Sequence, residues 1–262
     1  MMDWTKQGLL REQYGNTEKL AGRISLHEKY SVNPQGFGPW ILSHYRFPED
    51  ARVLELGCGT GSMWKGQQAL IGRCQELILT DLSPAMVAAA REALGEVPPL
   101  RYAAADIQAL PYADASFDAV IANMMLYHVP DLKKALGEVR RVLRREGRFY
   151  AATYGEHGLM ERLCAILAPP GILDESSKSF TLQNGGELLA GFFSQVERFD
   201  YPDSLRVTEV EDLIDYLASL PSMKRNGLPP REELRRLLRA KMRGGVLELP
   251  KEYGLFAAVK TV

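Results

Sequence analysis

The 262-residue chain carries 32 basic and 33 acidic residues, giving a formal net charge of −1, and 46% of its residues are hydrophobic. Such a chain can form one large α/β domain with an added segment, without disulfides or metal ions for stability. Its near-neutral charge provides no overall basic field for nucleic acid or an anionic membrane.

Location is predicted from the cysteines and from the distribution of apolar residues. The three cysteines are widely spaced, which is typical of a reducing compartment. The N-terminal residues have no apolar signal segment, and no stretch approaches the ~18 apolar residues of a membrane span. We therefore expect a cytoplasmic protein without a membrane span.

The first 153 residues divide into an irregular segment and an alternating one. Residues 1–46 are polar and predict an N-terminal helical cover, with helices near 5–14 and 37–46. From Ala51 onward, apolar strands alternate with amphipathic helices, which is typical of a parallel sheet. The predicted strands are 52–56, 76–80, 101–105, 117–122 and 148–153, and the predicted helices lie between them at about 62–71, 84–94 and 131–145. Residues 47–153 are thus the expected core.

Beyond residue 153 the strict alternation ends. Residues 154–250 predict an insertion that forms a lid or wall, with a long strand at 194–208 and helices at 209–219 and 230–242. Residues 251–262 include the apolar run 254–260, which predicts the final strand of the core sheet.

The decapeptide VLELGCGTGS, residues 53–62, is the most informative segment. An apolar strand that includes Leu56 leads into three alternating glycines, Gly57, Gly59 and Gly61. Such a turn lets backbone N–H groups approach a ligand at the carboxyl end of a strand. Glu55 would repel a pyrophosphate but suits a cationic or amino-bearing ligand. The segment therefore favours a ligand site over a structural glycine turn.

Two aspartates follow the next two predicted strands. Asp81 comes about twenty residues after the glycines, where an acidic residue can accept hydrogen bonds from ribose hydroxyls. Asp106 ends the third strand, where its carboxylate can accept from an exocyclic amine while Ile107 covers the ring face. A helix-start role for Asp81 and a turn role for Asp106 are the structural alternatives.

The fourth strand ends in the segment FDAVIANMMLYHVPD. Asn123 lies at its carboxyl end, and the residues from Met124 to His128 run across the mouth of the expected crevice. An unperturbed imidazole titrates near pH 6.5, so His128 is a candidate general base, with Tyr127 as the second candidate. A backbone hydrogen bond or a helix-capping role for His128 stays open.

Residues 50–153 resemble class I S-adenosylmethionine-dependent methyltransferases, most of all the subgroup of ubiquinone and menaquinone biosynthesis. The motifs ELGCGTG, TDLSPAMV, ADIQALPYADASFD and LYHVPD carry the resemblance, in this order and spacing. It implies an α/β fold: a Rossmann-like, seven-stranded, mostly parallel sheet with helices on both faces and an antiparallel last strand. It also implies S-adenosylmethionine as the cofactor and S-adenosylhomocysteine as its product.

The resemblance assigns roles to individual positions. Glu55 and the loop Gly57–Gly61 match the positions that hold the methionine part, and Asp81 matches the ribose-binding position. Asn123 matches a position close to the sulfonium. The remaining cofactor residues that we assign are Leu56, Leu82, Met86, Ala105, Asp106, Ile107 and Met124, of which Leu82, Met86, Ala105, Asp106 and Ile107 match adenine-contacting positions.

Outside residues 50–153 the sequence gives only candidates for acceptor binding. These are Tyr14, Tyr30 and Trp40, in the expected cover. Packing against the sheet explains such aromatic residues equally well. No motif with metal-ligand spacing is present, so we expect no metal.

We therefore predict methyl transfer to an O, N or C atom of a small-molecule acceptor by in-line displacement. A nicotinamide-dependent oxidoreductase is disfavoured because its fingerprint is GxGxxG, whereas the glycines here alternate as GxGxG. A cofactor-binding protein without turnover stays open. A nucleic-acid methyltransferase is disfavoured by the sequence NMML after the fourth strand and by the neutral charge. The oligomeric state is not predicted.

Overall fold

A seven-stranded sheet forms the centre of the fold in a computed structural model, which describes residues 25–167, 178–220 and 228–261. The strand order is β3-β2-β1-β4-β5-β7-β6. The strands are β1 Ala51–Leu56, β2 Cys74–Asp81, β3 Leu100–Ala104, β4 Phe117–Asn123, β5 Leu143–Tyr154, β6 Ser194–Val207 and β7 Leu247–Val259. The expected Rossmann-like sheet is thereby confirmed.

The pairings among β1 to β5 place the carboxyl ends of these strands on one edge of the sheet. β1 pairs in parallel with both β2 and β4, and β2–β3 and β4–β5 are also parallel. The order in which the chain adds strands to the sheet reverses at β1: β2 and β3 lie on one side of it, and β4 and β5 lie on the other. A crevice at such a reversal, beyond the carboxyl ends, is the usual ligand site of open α/β sheets.

Helices connect most of the strands. They are α1 Phe37–His44, α2 Gln68–Ile71, α3 Pro84–Leu94, α4 Leu132–Val142, α5 Leu159–Leu167, α6 Gly185–Ala190, α7 Val210–Ser219 and α8 Arg231–Arg239, with 3₁₀ turns at Ser62–Trp64 and Leu126–His128. Residues 25–30 are also helical. The predicted helix at 5–14 lies outside the described residues.

Two predicted helices were wrong in extent. The single helix expected at 62–71 is a 3₁₀ turn followed by the short α2, because Lys65 is extended and Gly66 has a φ of 79°. Neither conformation continues a helix. The helix expected at 131–145 ends at Val142, and β5 begins at the next residue.

The chain divides into two compact units. The sheet unit comprises, among the described residues, Phe37–Tyr154, Lys178–Asp200 and 254–261, and its core includes Leu54 and Phe149. The accessory unit comprises, among the described residues, 25–36, 155–167, 201–220 and 228–253. Its separate core includes the leucines Leu26, Leu163, Leu213, Leu234 and Leu249.

These boundaries differ from the four predicted segments. The helix α1 belongs to the sheet unit rather than to a cover that extends to residue 46, and residues 178–200 do not join the rest of 154–250. Phe180 and Phe193 explain the second difference, since both are buried in the core of the sheet unit. Among the described residues, no helix is long and apolar enough to span a membrane.

Candidate active site

The glycine turn after β1 has the conformation that its sequence requires. Gly57, Gly59 and Gly61 have φ values of 71°, 55° and 72°. A Cβ at Gly59 would meet nothing within 4 Å, whereas a Cβ at Gly61 would lie 2.8 Å from Cδ1 of Leu94 in α3. Gly61 therefore permits close packing, and Gly59 leaves the turn open to a ligand.

Glu55 is a buried carboxylate next to this turn. It is 3% exposed, and it accepts a hydrogen bond of 2.7 Å from Nε1 of Trp64. Burial raises the pKa of Glu55 to about 7, the Trp64 hydrogen bond opposes this shift, and the charge of Asp81 adds to it. No cation pairs with Glu55 in the part of the chain that the structure describes. A buried carboxylate of this kind fits a ligand that brings its own positive charge.

Asp81, at the end of β2, connects three segments of the site. Its Oδ2 accepts from the Gly59 N–H at 3.0 Å, and its Oδ1 accepts from the Ser83 N–H at 2.8 Å. Its carbonyl accepts from the Ala105 N–H at 3.1 Å. The predicted ribose-binding carboxylate thus also holds the glycine turn and lies beside the segment that includes Asp106.

The predicted adenine-contacting residues differ in exposure. Oδ1 of Asp106 accepts from the backbone N–H of Gln108 at 2.9 Å. Leu82 is 53% exposed, so its apolar side chain is available to a ligand. Met86 and Ile107 are buried, and Ile107 belongs to the core cluster of the sheet unit.

The carboxyl end of β4 lies beside the glycine turn. A Cβ at Gly57 would lie 2.9 Å from Cγ of Met125. Met124 has a φ of 53°, a conformation that non-glycine residues rarely adopt and that recurs at functional sites. Nδ2 of Asn123 donates a hydrogen bond of 2.7 Å to the hydroxyl of Tyr45. Sequence reasoning missed Tyr45, for which the sequence offers no signal beyond an aromatic residue next to α1.

The candidate acid–base residues lie in the 3₁₀ turn after β4. The rings of Tyr127 and His128 have centroids 4.4 Å apart, and the rings of Tyr127 and Tyr154 have centroids 4.6 Å apart. The backbone N–H of His128 donates to the carbonyl of Met125 at 2.9 Å. The structure therefore brings together three half-buried aromatic side chains with polar atoms, Tyr127, His128 and Tyr154.

The two predicted acceptor-binding residues within the described ranges, Trp40 and Tyr30, belong to different units. Trp40, in α1 of the sheet unit, is buried and stacks on Phe37 at a centroid distance of 5.8 Å. Tyr30 is buried in the core of the accessory unit, where its hydroxyl donates to Oδ2 of Asp212 at 2.5 Å. Tyr14 lies outside the described residues. Within the described ranges, no group of three His, Cys, Asp or Glu residues could hold a metal ion.

The site fits a ligand with an amino group, ribose hydroxyls and an exocyclic amine. Carboxylates at or just beyond the ends of β1, β2 and β3 (Glu55, Asp81 and Asp106) supply acceptors for each of these groups. Oδ1 of Asn123 is a further acceptor, because it is buried without a hydrogen-bond partner among the described residues. S-adenosylmethionine carries all three donor groups and a positive charge.

Comparisons with known proteins agree with this assignment. A family model described as a methyltransferase domain matches residues 54–151. The malonyl-[acyl-carrier protein] O-methyltransferase of Geobacter sulfurreducens is 33% identical over 187 residues, which cover 68% of this chain and 67% of that protein. A ubiquinone/menaquinone biosynthesis C-methyltransferase of Pasteurella multocida is 36% identical over 108 residues, which cover 40% of each chain.

A solved structure supports the fold. The YcgJ protein of Bacillus subtilis aligns with a TM-score of 0.57 at 22% identity, covering 86% of this chain and 97% of that one. The alignments with the two enzymes span 67% and 40% of their own lengths. The glycine turn, the carboxylates and these similarities lead to one conclusion: the chain belongs to the class I S-adenosylmethionine-dependent methyltransferase family.

Proposed function

We propose that the protein transfers a methyl group from S-adenosylmethionine to a small-molecule acceptor. The observation that carries the proposal is the buried Glu55 carboxylate, which has no cationic partner among the described residues and lies beside an open glycine turn. A nicotinamide dinucleotide would bring its pyrophosphate to this turn, where the carboxylate would repel it. An amino acid moiety would bring an ammonium group, which the carboxylate attracts.

Each carboxylate has a proposed role. Glu55 accepts from the amino group of the methionine part, Asp81 from the ribose hydroxyls, and Asp106 from the adenine amine. When bound, S-adenosylmethionine supplies a methyl group on a sulfonium whose positive charge makes the thioether a good leaving group. Holding both reactants in line can supply about 7–11 kcal/mol of barrier reduction.

The similar proteins support one class of methyl acceptor. The two relatives are named for a malonyl-carrier O-methylation and a quinone-pathway C-methylation, which supports a small-molecule O or C acceptor over nucleic acid. His128 is the proposed base where the acceptor must lose a proton, with Tyr127 beside it. A cytoplasmic location stays a prediction.

Calorimetric titration tests the cofactor assignment. We expect S-adenosylhomocysteine to bind and NADH not to bind. Asp81→Asn should weaken S-adenosylhomocysteine binding by about 1–3 kcal/mol, because the ribose hydroxyls lose a charged acceptor. The matched control is Asp114→Asn, a carboxylate with a 77% exposed side chain in the same unit, which should leave the affinity unchanged.

Methyl transfer is then measured with labelled S-adenosylmethionine and a panel of carboxylic acids, quinols and amines. Label in an acceptor supports the proposal. Binding of S-adenosylhomocysteine without transfer to any acceptor favours the second candidate, a cofactor-binding protein without turnover. Binding of NADH in place of S-adenosylhomocysteine overturns the cofactor assignment.

A further inference from the structure

We infer that Tyr45 is a positioning residue, which turns the side-chain amide of Asn123 so that its oxygen faces the bound sulfonium. The inference rests on the proposed function. Nδ2 of Asn123 donates to the Tyr45 hydroxyl at 2.7 Å. Oδ1 of the same amide is buried and has no hydrogen-bond partner within the described residues. The amide therefore has its donor side engaged and its acceptor side available.

Strand register places this amide beside the glycine turn. Glu55 of β1 lies opposite Ile121 of β4 in the parallel pairing. Asn123 follows Ile121 by two residues, which brings it level with Gly57. The free acceptor thus lies at the crevice edge, next to the residues assigned to the methionine part.

Neighbouring aromatic rings fix the position of the Tyr45 phenol. Tyr45 is 7% exposed, and its ring centroid lies 4.9 Å from that of Tyr150 and 6.5 Å from that of Trp64. Trp64 is itself held by its hydrogen bond to Glu55. Tyr45 therefore cannot follow the amide of Asn123 if that amide rotates.

The Tyr45 phenol accepts the hydrogen bond from Asn123 and stays protonated. Burial and the Glu55 carboxylate raise the pKa of Tyr45 well above its usual value, so the phenol keeps its hydrogen. In the hydrogen bond with Asn123 the phenol oxygen is the acceptor. With its donor side occupied, Asn123 presents an acceptor oxygen to the ligand.

An acceptor oxygen discriminates between the two forms of the cofactor. It stabilises a positively charged centre and gives no comparable stabilisation to a neutral thioether. Tyr45 should therefore strengthen binding of the charged methyl donor relative to S-adenosylhomocysteine, the neutral product. A rotated amide would place its N–H donors at the charged centre and reverse the preference.

Binding selectivity measures this effect without an acceptor substrate. The probes are S-adenosylhomocysteine and sinefungin, an analogue that carries an ammonium-bearing carbon in place of the methyl sulfonium. Dissociation constants are measured by calorimetry for the wild type, Tyr45→Phe, Asn123→Ala and the double variant. Tyr102→Phe is the matched control, since it removes the hydroxyl of a half-buried tyrosine of the same unit that donates to the carbonyl of Gly95 at 2.7 Å.

We expect Tyr45→Phe to reduce the preference for sinefungin over S-adenosylhomocysteine about five- to tenfold, which corresponds to one lost hydrogen bond. The affinity for S-adenosylhomocysteine should change less than about twofold. Asn123→Ala should show the same loss, and the double variant should lose no more than Asn123→Ala alone, because Tyr45 acts through the amide. Tyr102→Phe should keep the wild-type preference.

Three results would overturn the inference. An equal change in affinity for both ligands in Tyr45→Phe would show a merely structural role. Additive effects of Tyr45→Phe and Asn123→Ala on the preference would show that Tyr45 does not act through the amide. Failure of both ligands to bind the wild type would overturn the proposed function and the inference together, whereas binding without a change in preference overturns the inference alone.

Discussion

Two carboxylates are removed from solvent in different units of the molecule, and their surroundings are opposite. Glu55 in the sheet unit receives a hydrogen bond from Trp64 and has no cation beside it within the described residues. Asp203 in the accessory unit has a fully buried side chain, and Nζ of Lys251 lies 2.7 Å from its Oδ2. Its Oδ1 accepts from the backbone N–H groups of residues 32 and 33, both at 3.0 Å.

The pKa values of the two groups move in opposite directions. Burial raises the pKa of Glu55 to about 7. Burial also acts to raise the pKa of Asp203, but the hydrogen bonds from Lys251 and Ser31 outweigh it and hold that pKa below its usual value. A buried charge that the chain neutralises supports the structure. A buried charge that the chain does not neutralise disfavours the empty protein and favours a cationic ligand.

The largest expected effect is the loss of the cation in the accessory unit. Lys251→Met leaves Asp203 buried without its counter-charge, which should lower the free energy of unfolding by about 3–5 kcal/mol. Urea denaturation at pH 8 measures the change. The control Arg73→Met removes an ion pair with Glu49 whose side chains are 51% and 69% exposed, and it should cost less than about 1 kcal/mol.

A double variant checks the cause of that loss. Lys251→Met combined with Asp203→Asn removes both charges but keeps an oxygen that can accept from the backbone N–H groups of residues 32 and 33. It should recover most of the lost stability because no unpaired charge is buried. A loss below about 1 kcal/mol in Lys251→Met would contradict a structural role for the pair.

Glu55→Gln should raise the free energy of unfolding of the ligand-free protein, whereas Lys251→Met lowers it. The folded pKa of Glu55, about 7, lies above its usual value of 4.5, so the folded state binds this proton more tightly than the unfolded chain does. Its contribution to the free energy of unfolding therefore falls as pH rises from 4.5 to about 7. Glu55→Gln removes this dependence and should stabilise the ligand-free protein by about 3 kcal/mol at pH 8, but by only about 1 kcal/mol at pH 5.

Thermal and urea unfolding across this pH range measure the difference. Asp203→Asn is the matched variant, and it should destabilise the protein at pH 8, since the pKa of Asp203 is lowered in the folded state. A destabilising Glu55→Gln, or a stabilisation independent of pH, would remove the contrast between the two carboxylates.

The candidate site around Glu55 could be predicted from the sequence because the signals for it are local. Glu55 and Asp81 each lie at the carboxyl end of an apolar run, and the glycine turn follows β1 directly. Alternation of strands and helices then determines that these ends share one sheet edge. Gly66, where the predicted helix is interrupted, is also a local signal, but the predicted helix at 62–71 extended across it.

The ion pair of Asp203 with Lys251 and the hydrogen bond between Tyr45 and Asn123 could not be predicted in this way. Asp203 and Lys251 lie in long strands whose partners depend on the sheet order β5-β7-β6, which no local pattern specifies. Tyr45 and Asn123 are 78 residues apart in the chain. Such contacts depend on how distant elements pack, and a single sequence carries no periodic signal for them.

The smallest expected effect, and the one most specific to Glu55, is a pH dependence in the binding of a ligand with an amino group. An ammonium group beside Glu55 favours the carboxylate, so binding below the folded pKa of about 7 must release a proton. The dissociation constant of S-adenosylhomocysteine should therefore rise about tenfold between pH 8 and pH 6. Calorimetry in two buffers of different ionisation enthalpy measures the released proton directly.

The same titration separates Glu55 from the other groups that could titrate. Glu55→Gln should bind more weakly at pH 8 and lose the dependence between pH 6 and pH 8, whereas His128→Ala should keep it. Asp203→Asn should also keep the slope, because that carboxylate is already neutralised by Lys251. If the pH dependence of the dissociation constant persists in Glu55→Gln, the released proton comes from another group. Glu55 would then be a structural carboxylate like Asp203.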